Sequence, residues 1–259
     1  GEHYHVRRHN PHYKLQRKWK ESKGIFVNKD YSEDDFKKIR YFKISDDGEL
    51  IDMSNNINDV SGCTYSMYQN GSADIDNDGD IDFVFGAQVY WSNSNTCSIS
   101  GYSMGILRNI GGGKFDLEWL GNGDFETSEG HLLLEDISGD GFKDIIFSGP
   151  VSLGGYIHYI LNDGNGSFTY SLNNKIDNPV QGMRNIYVDD IENDSTKEII
   201  IFNTNGFGAG GATGLPNIVK IYNYENSNGV ITFNDVSEKY FSNSENEMDF
   251  YAQETWMKY

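Results

Sequence analysis

Asp74-Ile75-Asp76-Asn77-Asp78-Gly79-Asp80-Ile81-Asp82 runs directly into Phe83-Val84-Phe85-Gly86, and this stretch decides how the rest of the chain is read. Carboxylates stand at positions 1, 3, 5 and 9 of a nine-residue loop, with glycine at position 6. Hard cations such as Ca²⁺ take about six to eight oxygen ligands, and alternate side chains of a tightly curled loop can aim at one centre. Gly79 permits the left-handed backbone that a sharp turn needs. Carboxylates this crowded repel one another unless a cation neutralises them. Asp74, Asp76, Asp78 and Asp82 are therefore candidate side-chain ligands, and Asp80 at position 7 a backbone-carbonyl ligand. The loop is not an EF-hand, which needs a bidentate Glu at position 12 and flanking helices. Position 12 is Phe85, and the flanks are short and rich in β-formers.

The design recurs twice. Asp136-Ile137-Ser138-Gly139-Asp140-Gly141-Phe142-Lys143-Asp144 precedes Ile145-Ile146-Phe147, and Asp190-Ile191-Glu192-Asn193-Asp194-Ser195-Thr196-Lys197-Glu198 precedes Ile199-Ile200-Ile201-Phe202. Recurrence on this scale marks a repeat architecture. In the second loop Asp136, Ser138, Asp140 and Asp144 are the side-chain candidates and Phe142 the carbonyl donor; the neutral Ser138 predicts weaker binding. In the third, Asp190, Glu192, Asp194 and Glu198 keep the charge, but Ser195 replaces glycine and makes the turn harder. Cation affinity is expected to fall from first loop to third.

These residues resemble the FG-GAP/VCBS-type repeats, the calcium-loop blades of integrin α-subunit β-propellers and of many bacterial surface proteins. A second element of that family recurs as Arg108-Asn109-Ile110-Gly111-Gly112-Gly113-Lys114-Phe115, as Leu161-Asn162-Asp163-Gly164-Asn165-Gly166-Ser167-Phe168, and more loosely over 223–233. It looks like the turn joining the last two strands of a blade. The resemblance covers 43–259 and implies an all-β chain, a β-propeller of four-stranded antiparallel blades with Ca²⁺ as its ion. About four blades are expected, as a small closed ring or as a fragment of a larger propeller, since the chain stops where a fourth calcium loop would begin. It also implies an adhesive, ligand-binding role.

The strands follow the loops. The first full blade is expected to place its later strands at 82–91, 104–109 and 114–120; the second at 131–135, 144–148, 156–161 and 167–172; the third at 185–189, 198–203, 218–224 and 230–234. Continuous apolar runs such as 199–202 suit strands packed on both faces. A strand pair at 40–44 and 49–53 reads as the last half of a blade whose first half is not nearby. Residues 1–39 form a separate basic and His-rich segment with a short helix at 32–38, against 40–259 for the propeller repeats. Its His3, His5, His9 and His12 suggest a metal site or polyanion-binding arm, or simply a terminal segment.

A formal charge of −18 over 259 residues argues against a nucleic-acid partner, because phosphate affinity comes from Lys and Arg. No apolar run reaches the length of a membrane span. The chain begins at Gly1, the expectation being a processed or recombinant terminus. Calcium loops suit the extracellular space or cell surface. Cys63 and Cys97 flank the first loop and either pair or stand as isolated thiols.

Alternating strand direction puts the one-two and three-four turns on one face and the remaining connections on the other. The second face carries Tyr90 and Trp91, 92–101, 149–155 and the glycine-rich 205–216. Tyr90 and Trp91 either stack on a ligand or pack against a neighbouring blade. The leading expectation is a non-catalytic binding module for a protein or glycan. The alternatives are a structural subunit assembled with further copies or a larger chain, and a calcium-dependent polysaccharide-degrading enzyme drawing its base from residues such as His131 or His158.

Overall fold

The computed structural model describes residues 14–18, 23–28, 39–90, 97–121, 131–148, 156–171, 173–176, 183–203, 218–227 and 229–241. The expected helix at 32–38, Trp91 and the glycine-rich stretch 205–216 lie outside them. The fold is all-β and forms two compact units, Gly1–Ser128 and Glu129–Tyr259.

In the first unit, β1 (Lys14–Lys18), β2 (Lys23–Asn28), β3 (Ile39–Ile44) and β4 (Leu50–Asp52) make an antiparallel sheet in that order. The pair β3–β4 is thus not half a blade without its other half. Strands β1 and β2 supply it, with Val27 opposite Arg40 and Gly24 opposite Lys43. The sequences KLQRK and KGIFVN hide these strands, because only Ile25-Phe26-Val27 makes an apolar run among basic residues.

A second sheet holds β5 (Ile57–Asn58), β6 (Thr64–Ala73), β7 (Asp82–Tyr90), β8 (Gly101–Asn109) and β9 (Phe115–Leu120), ordered β5-β9-β8-β7-β6. Its four long strands are antiparallel, and the two-residue β5 adds in parallel to β9. The core gathers Ile39 and Tyr41 of β3 with Tyr65, Met67, Phe83, Phe85, Leu107 and Phe115. The Phe85 ring stacks on Tyr65 at 5.8 Å and meets Trp119 edge-on at 5.7 Å. It lies over Gly105, the residue opposite it on β8, and a Cβ there would fall 2.3 Å from the ring. Cys63 and Cys97 form a disulfide. It joins the start of β6 to the β7–β8 connection, at the end of the sheet away from the first loop.

The second unit holds two sheets. One is β10 (Leu132–Glu135), β11 (Asp144–Ser148), β12 (Ile157–Ile160) and β13 (Lys175–Ile176); the other is β14 (Met183–Asp189), β15 (Glu198–Asn203), β16 (Ile218–Ser227) and β17 (Val230–Asp235). Both are antiparallel in chain order. Every residue of β11 is buried, as its unbroken apolar run predicts for a strand covered on both faces. Ile146, Ile157, Tyr159, Ile186, Ile199, Ile201, Tyr222 and Ile231 form the core. A one-turn helix α1 (Ser237–Tyr240) follows β17.

One expected strand is absent. Of the expected 167–172, the described residues 167–171 make only a single bridge, Asn162 with Phe168, and β13 pairs with β12 at Lys175–Ile176. Asn162 Oδ1 accepts from Gly164 N and Gly166 N, and Asp163 Oδ1 accepts from Asn165 N and Ser167 N. Of these donors only Ser167 N lies in the expected strand; Gly164, Asn165 and Gly166 belong to the turn that the two side chains close.

Candidate metal centres

Each loop joins the first two long strands of a sheet, β6 to β7, β10 to β11 and β14 to β15. All three share one internal frame. The position-1 carboxylate accepts the N–H groups of positions 5 and 6: Asp74 from Asp78 and Gly79, Asp136 from Asp140 and Gly141, Asp190 from Asp194 and Ser195, at 2.8–3.1 Å. The position-5 carboxylate accepts the N–H of position 7: Asp78 from Asp80, Asp140 from Phe142, Asp194 from Thr196. At position 7 the peptide N–H of Asp80 and of Phe142 is thus turned to position 5.

Two positions in each loop are left-handed. Position 6 has φ of 93° at Gly79, 94° at Gly141 and 73° at Ser195. Position 4 has φ of 57° at Asn77, 77° at Gly139 and 54° at Asn193. Ser195 thus adopts the strained conformation and the third loop keeps its path. Position 4 was missed in the sequence, although its occupants, Asn, Gly and Asn, are the residues that tolerate this region best.

The position-9 carboxylates point inward. Asp82 and Asp144 are fully buried and Glu198 is nearly so. Each accepts the N–H of position 2, from Ile75, Ile137 and Ile191 at 3.0–3.1 Å. Asp82 and Asp144 also accept a backbone N–H across the sheet, from Asn109 and Asn162, both at 2.8 Å. Burial raises Asp82 from 3.8 to about 6, against the pull of those two N–H bonds, and raises Asp144 and Glu198 for the same first reason.

Asn109 and Asn162 are residues that the sequence reading did not single out for the site. Each ties the loop to the three-four turn: the amide donates to Ile81 O and Lys143 O, and the amide oxygen accepts from Gly111 N and Gly164 N. The signal was present in the recurring Arg-Asn and Leu-Asn turn element. In the third sheet the register puts Tyr224 at this place, so the latch is missing there. The bonds also show that, within a sheet, loop and three-four turn share one end. The two-three connections, which begin at Tyr90, Ser148 and Asn203, leave from the other.

The acids converge in the first loop. Asp74, Asp76 and Asp78 bring one ligand oxygen each within 4.8 Å of one another, and could hold a metal ion. Among the described residues no other His, Cys, Asp or Glu group of three does so. Asp76 turns Oδ2 to Arg108 Nη1 at 3.3 Å, while its Oδ1 is buried and accepts no hydrogen bond. A buried carboxylate oxygen without a donor is an oxygen available to a cation. In the second loop Ser138 Oγ donates to Asp136 Oδ1 at 3.3 Å. In the third, Glu192 is bound by Lys239 and Tyr240, which hold its carboxyl below the usual range. The second and third loops are also linked to neighbouring elements of their unit: Glu135 pairs with Lys143 and Lys197, and Asn226 donates to Ser138 O.

The two histidines weighed as bases both carry structural contacts. His131 Nδ1 accepts Ile186 N at 3.2 Å, and His158 stacks on Phe147 with ring centroids 5.4 Å apart.

No curated protein matches the chain. Residues 136–201, from the second loop through the third and into β15, match the family model described as an FG-GAP-like repeat, and the repeat read from the sequence is of that type.

Proposed function

We propose that the chain is an extracellular or surface-displayed calcium-binding module whose four-stranded sheets are the blades of a β-propeller. The single observation that carries the calcium reading is the convergence of Asp74, Asp76 and Asp78 around a buried, unpartnered Asp76 Oδ1. The FG-GAP-like match and the Cys63–Cys97 disulfide support an oxidising, calcium-rich setting. The ion's role is structural: it neutralises the loop and stabilises the folded unit by mass action. Adding calcium should raise the melting temperature and chelation should lower it. An unchanged transition after exhaustive EDTA treatment would remove the calcium reading.

The module binds a protein or glycan and is not catalytic. Recognition is assigned to the end of the sheets away from the loops, where the two-three connections emerge, because loops held by a rigid scaffold concentrate binding residues. Tyr90, at the end of β7, and Trp91 are the proposed contacts. A glycan array and a pull-down comparing Tyr90→Ala/Trp91→Ala with Asn165→Ala/Ser167→Ala test this. Loss of binding in the first pair, with the melting temperature kept, supports the assignment; loss only in the second places recognition on the calcium side.

A further inference from the structure

The position-3 side chain meets a different partner in each loop. Asp76 gives one oxygen to Arg108 at 3.3 Å and keeps the other buried and free of hydrogen bonds, and Ser138 carries no charge. Glu192 receives both the Lys239 ammonium and the Tyr240 hydroxyl on one oxygen, Oε1. Those two residues sit on α1, which is firmly seated. Ser237, its first residue, is 1% exposed and accepts Ile221 N at 3.0 Å through Oγ; Val236 N donates to Ile221 O at 2.8 Å. The ammonium also lies 5.7 Å from the centre of the Tyr240 ring.

The rest of the third loop's charge is met from within. Asp190 accepts two N–H groups, Asp194 one, and Glu198 the N–H of Ile191. Glu192 alone lacks a backbone donor among the bonds of this frame, and α1 supplies its partners. Drawn toward α1, Glu192 does not join Asp190 and Asp194 in a convergence like that of Asp74, Asp76 and Asp78.

We infer that the third loop is closed by the chain's own cation: Lys239, with Tyr240, occupies the position-3 carboxylate in place of a divalent ion, so that this loop keeps the repeat's geometry without taking up calcium. The inference rests on the calcium reading of the first loop for its contrast. An ammonium brings one charge and three donors, enough for one carboxylate, whereas a calcium ion needs several oxygens turned to one point.

The test uses the full chain, calcium chloride as the titrant, and thermal melts in EDTA and in calcium. Glu192→Gln leaves α1 untouched. It should leave the calcium stoichiometry unchanged and lower the melting temperature by roughly 1–3 °C, equally with and without calcium. Lys239→Met/Tyr240→Phe should cost a similar amount in EDTA, and combining it with Glu192→Gln should add nothing further, because both remove one interaction. Loss of one calcium equivalent in Glu192→Gln, or a melting loss confined to calcium, would overturn the inference, as would additive losses in EDTA. Asp78→Asn serves as the control: if it and the wild-type chain both bind no calcium, the calcium reading of the first loop fails, while the Glu192–Lys239 coupling is still decided by the melts in EDTA.

Discussion

Asp82→Ala separates the two roles that a loop carboxylate can have, ligand or internal acceptor. In the folded unit Asp82 is fully buried and takes two N–H groups, Ile75 at 3.1 Å and Asn109 at 2.8 Å. Removing it orphans both donors, and a buried unsatisfied donor costs about 1–3 kcal/mol. Part of that loss is offset, because burial already disfavours the ionised carboxyl and raises it to about 6. Water entering from the loop side recovers some more, which leaves a loss of about 3 kcal/mol, or roughly 10 °C in melting temperature for a unit of this size. Asp78→Ala is the contrast. Asp78 is exposed and accepts only Asp80 N, which water can replace, so in EDTA it should cost less than about 1 kcal/mol. Differential scanning calorimetry in EDTA, repeated in excess calcium, reads both. Asp82→Ala should fall in both conditions; Asp78→Ala should fall mainly in calcium. An Asp82→Ala transition within a degree or so of wild type in EDTA would refute the latch and make position 9 a ligand only.

Gly105→Ala should destabilise the first unit by about 1–3 kcal/mol in urea titrations, because the new methyl meets the Phe85 ring, which Tyr65 and Trp119 hold in place; Gly105→Ala with Phe85→Leu should recover part of the loss. Ser195→Gly should raise stability by roughly 0.5–1 kcal/mol, the relief of a φ of 73° less the greater unfolded-state freedom of glycine. In EDTA, Asp82 holds a proton in the folded unit that the unfolded chain releases, so its contribution falls as pH rises from 3.8 to about 6, and Asp82→Asn should flatten that slope. His158 acts in the opposite sense: burial, then the charge of Lys175, lowers it from 6.5 to about 4, so stability is lost as pH falls across that range, and His158→Phe should remove the loss.

The strands after each loop were legible because 83–86 and 145–147 are apolar runs that a strand covered on both faces demands, and 199–202 is an apolar run too, although only Ile199 and Ile201 are fully buried there. The loops were legible because spacing and charge leave few other uses for such a pattern. The direction of the position-9 side chain was not. Asp82 and Asp76 are the same residue type in one loop, yet one turns into the sheet to accept N–H groups and the other keeps a buried oxygen free. Only the register across β7 and β8, which brings Asn109 N to Asp82, decides between them. Strands β1 and β2 were hidden for a compositional reason, since a run such as KLQRK shows no apolar alternation to read, while the backbone still pairs. At 167–171 the expected strand gives way to a single bridge, and the N–H of Ser167 is taken by Asp163 of the preceding turn.

The repeated frame bears on what a cation would do. Positions 1, 5 and 9 of every loop are already held by backbone N–H groups, and positions 4 and 6 are already left-handed. An ion entering the first loop would therefore order little chain; its binding energy would go into neutralising Asp74, Asp76 and Asp78. The three loops then differ by how position 3 is served, not by whether the loop forms. At Asp76 Arg108 meets one oxygen, and the other, buried and converging with Asp74 and Asp78, is left for a divalent ion; a hydroxyl at Ser138 leaves less, and at Glu192 Lys239 draws the carboxylate away from its loop partners. Ser195, the residue whose lack of glycine first suggested a weaker third site, sits in the loop that needs a metal least, and its strained φ is tolerated because Asp190 holds its N–H at 2.8 Å.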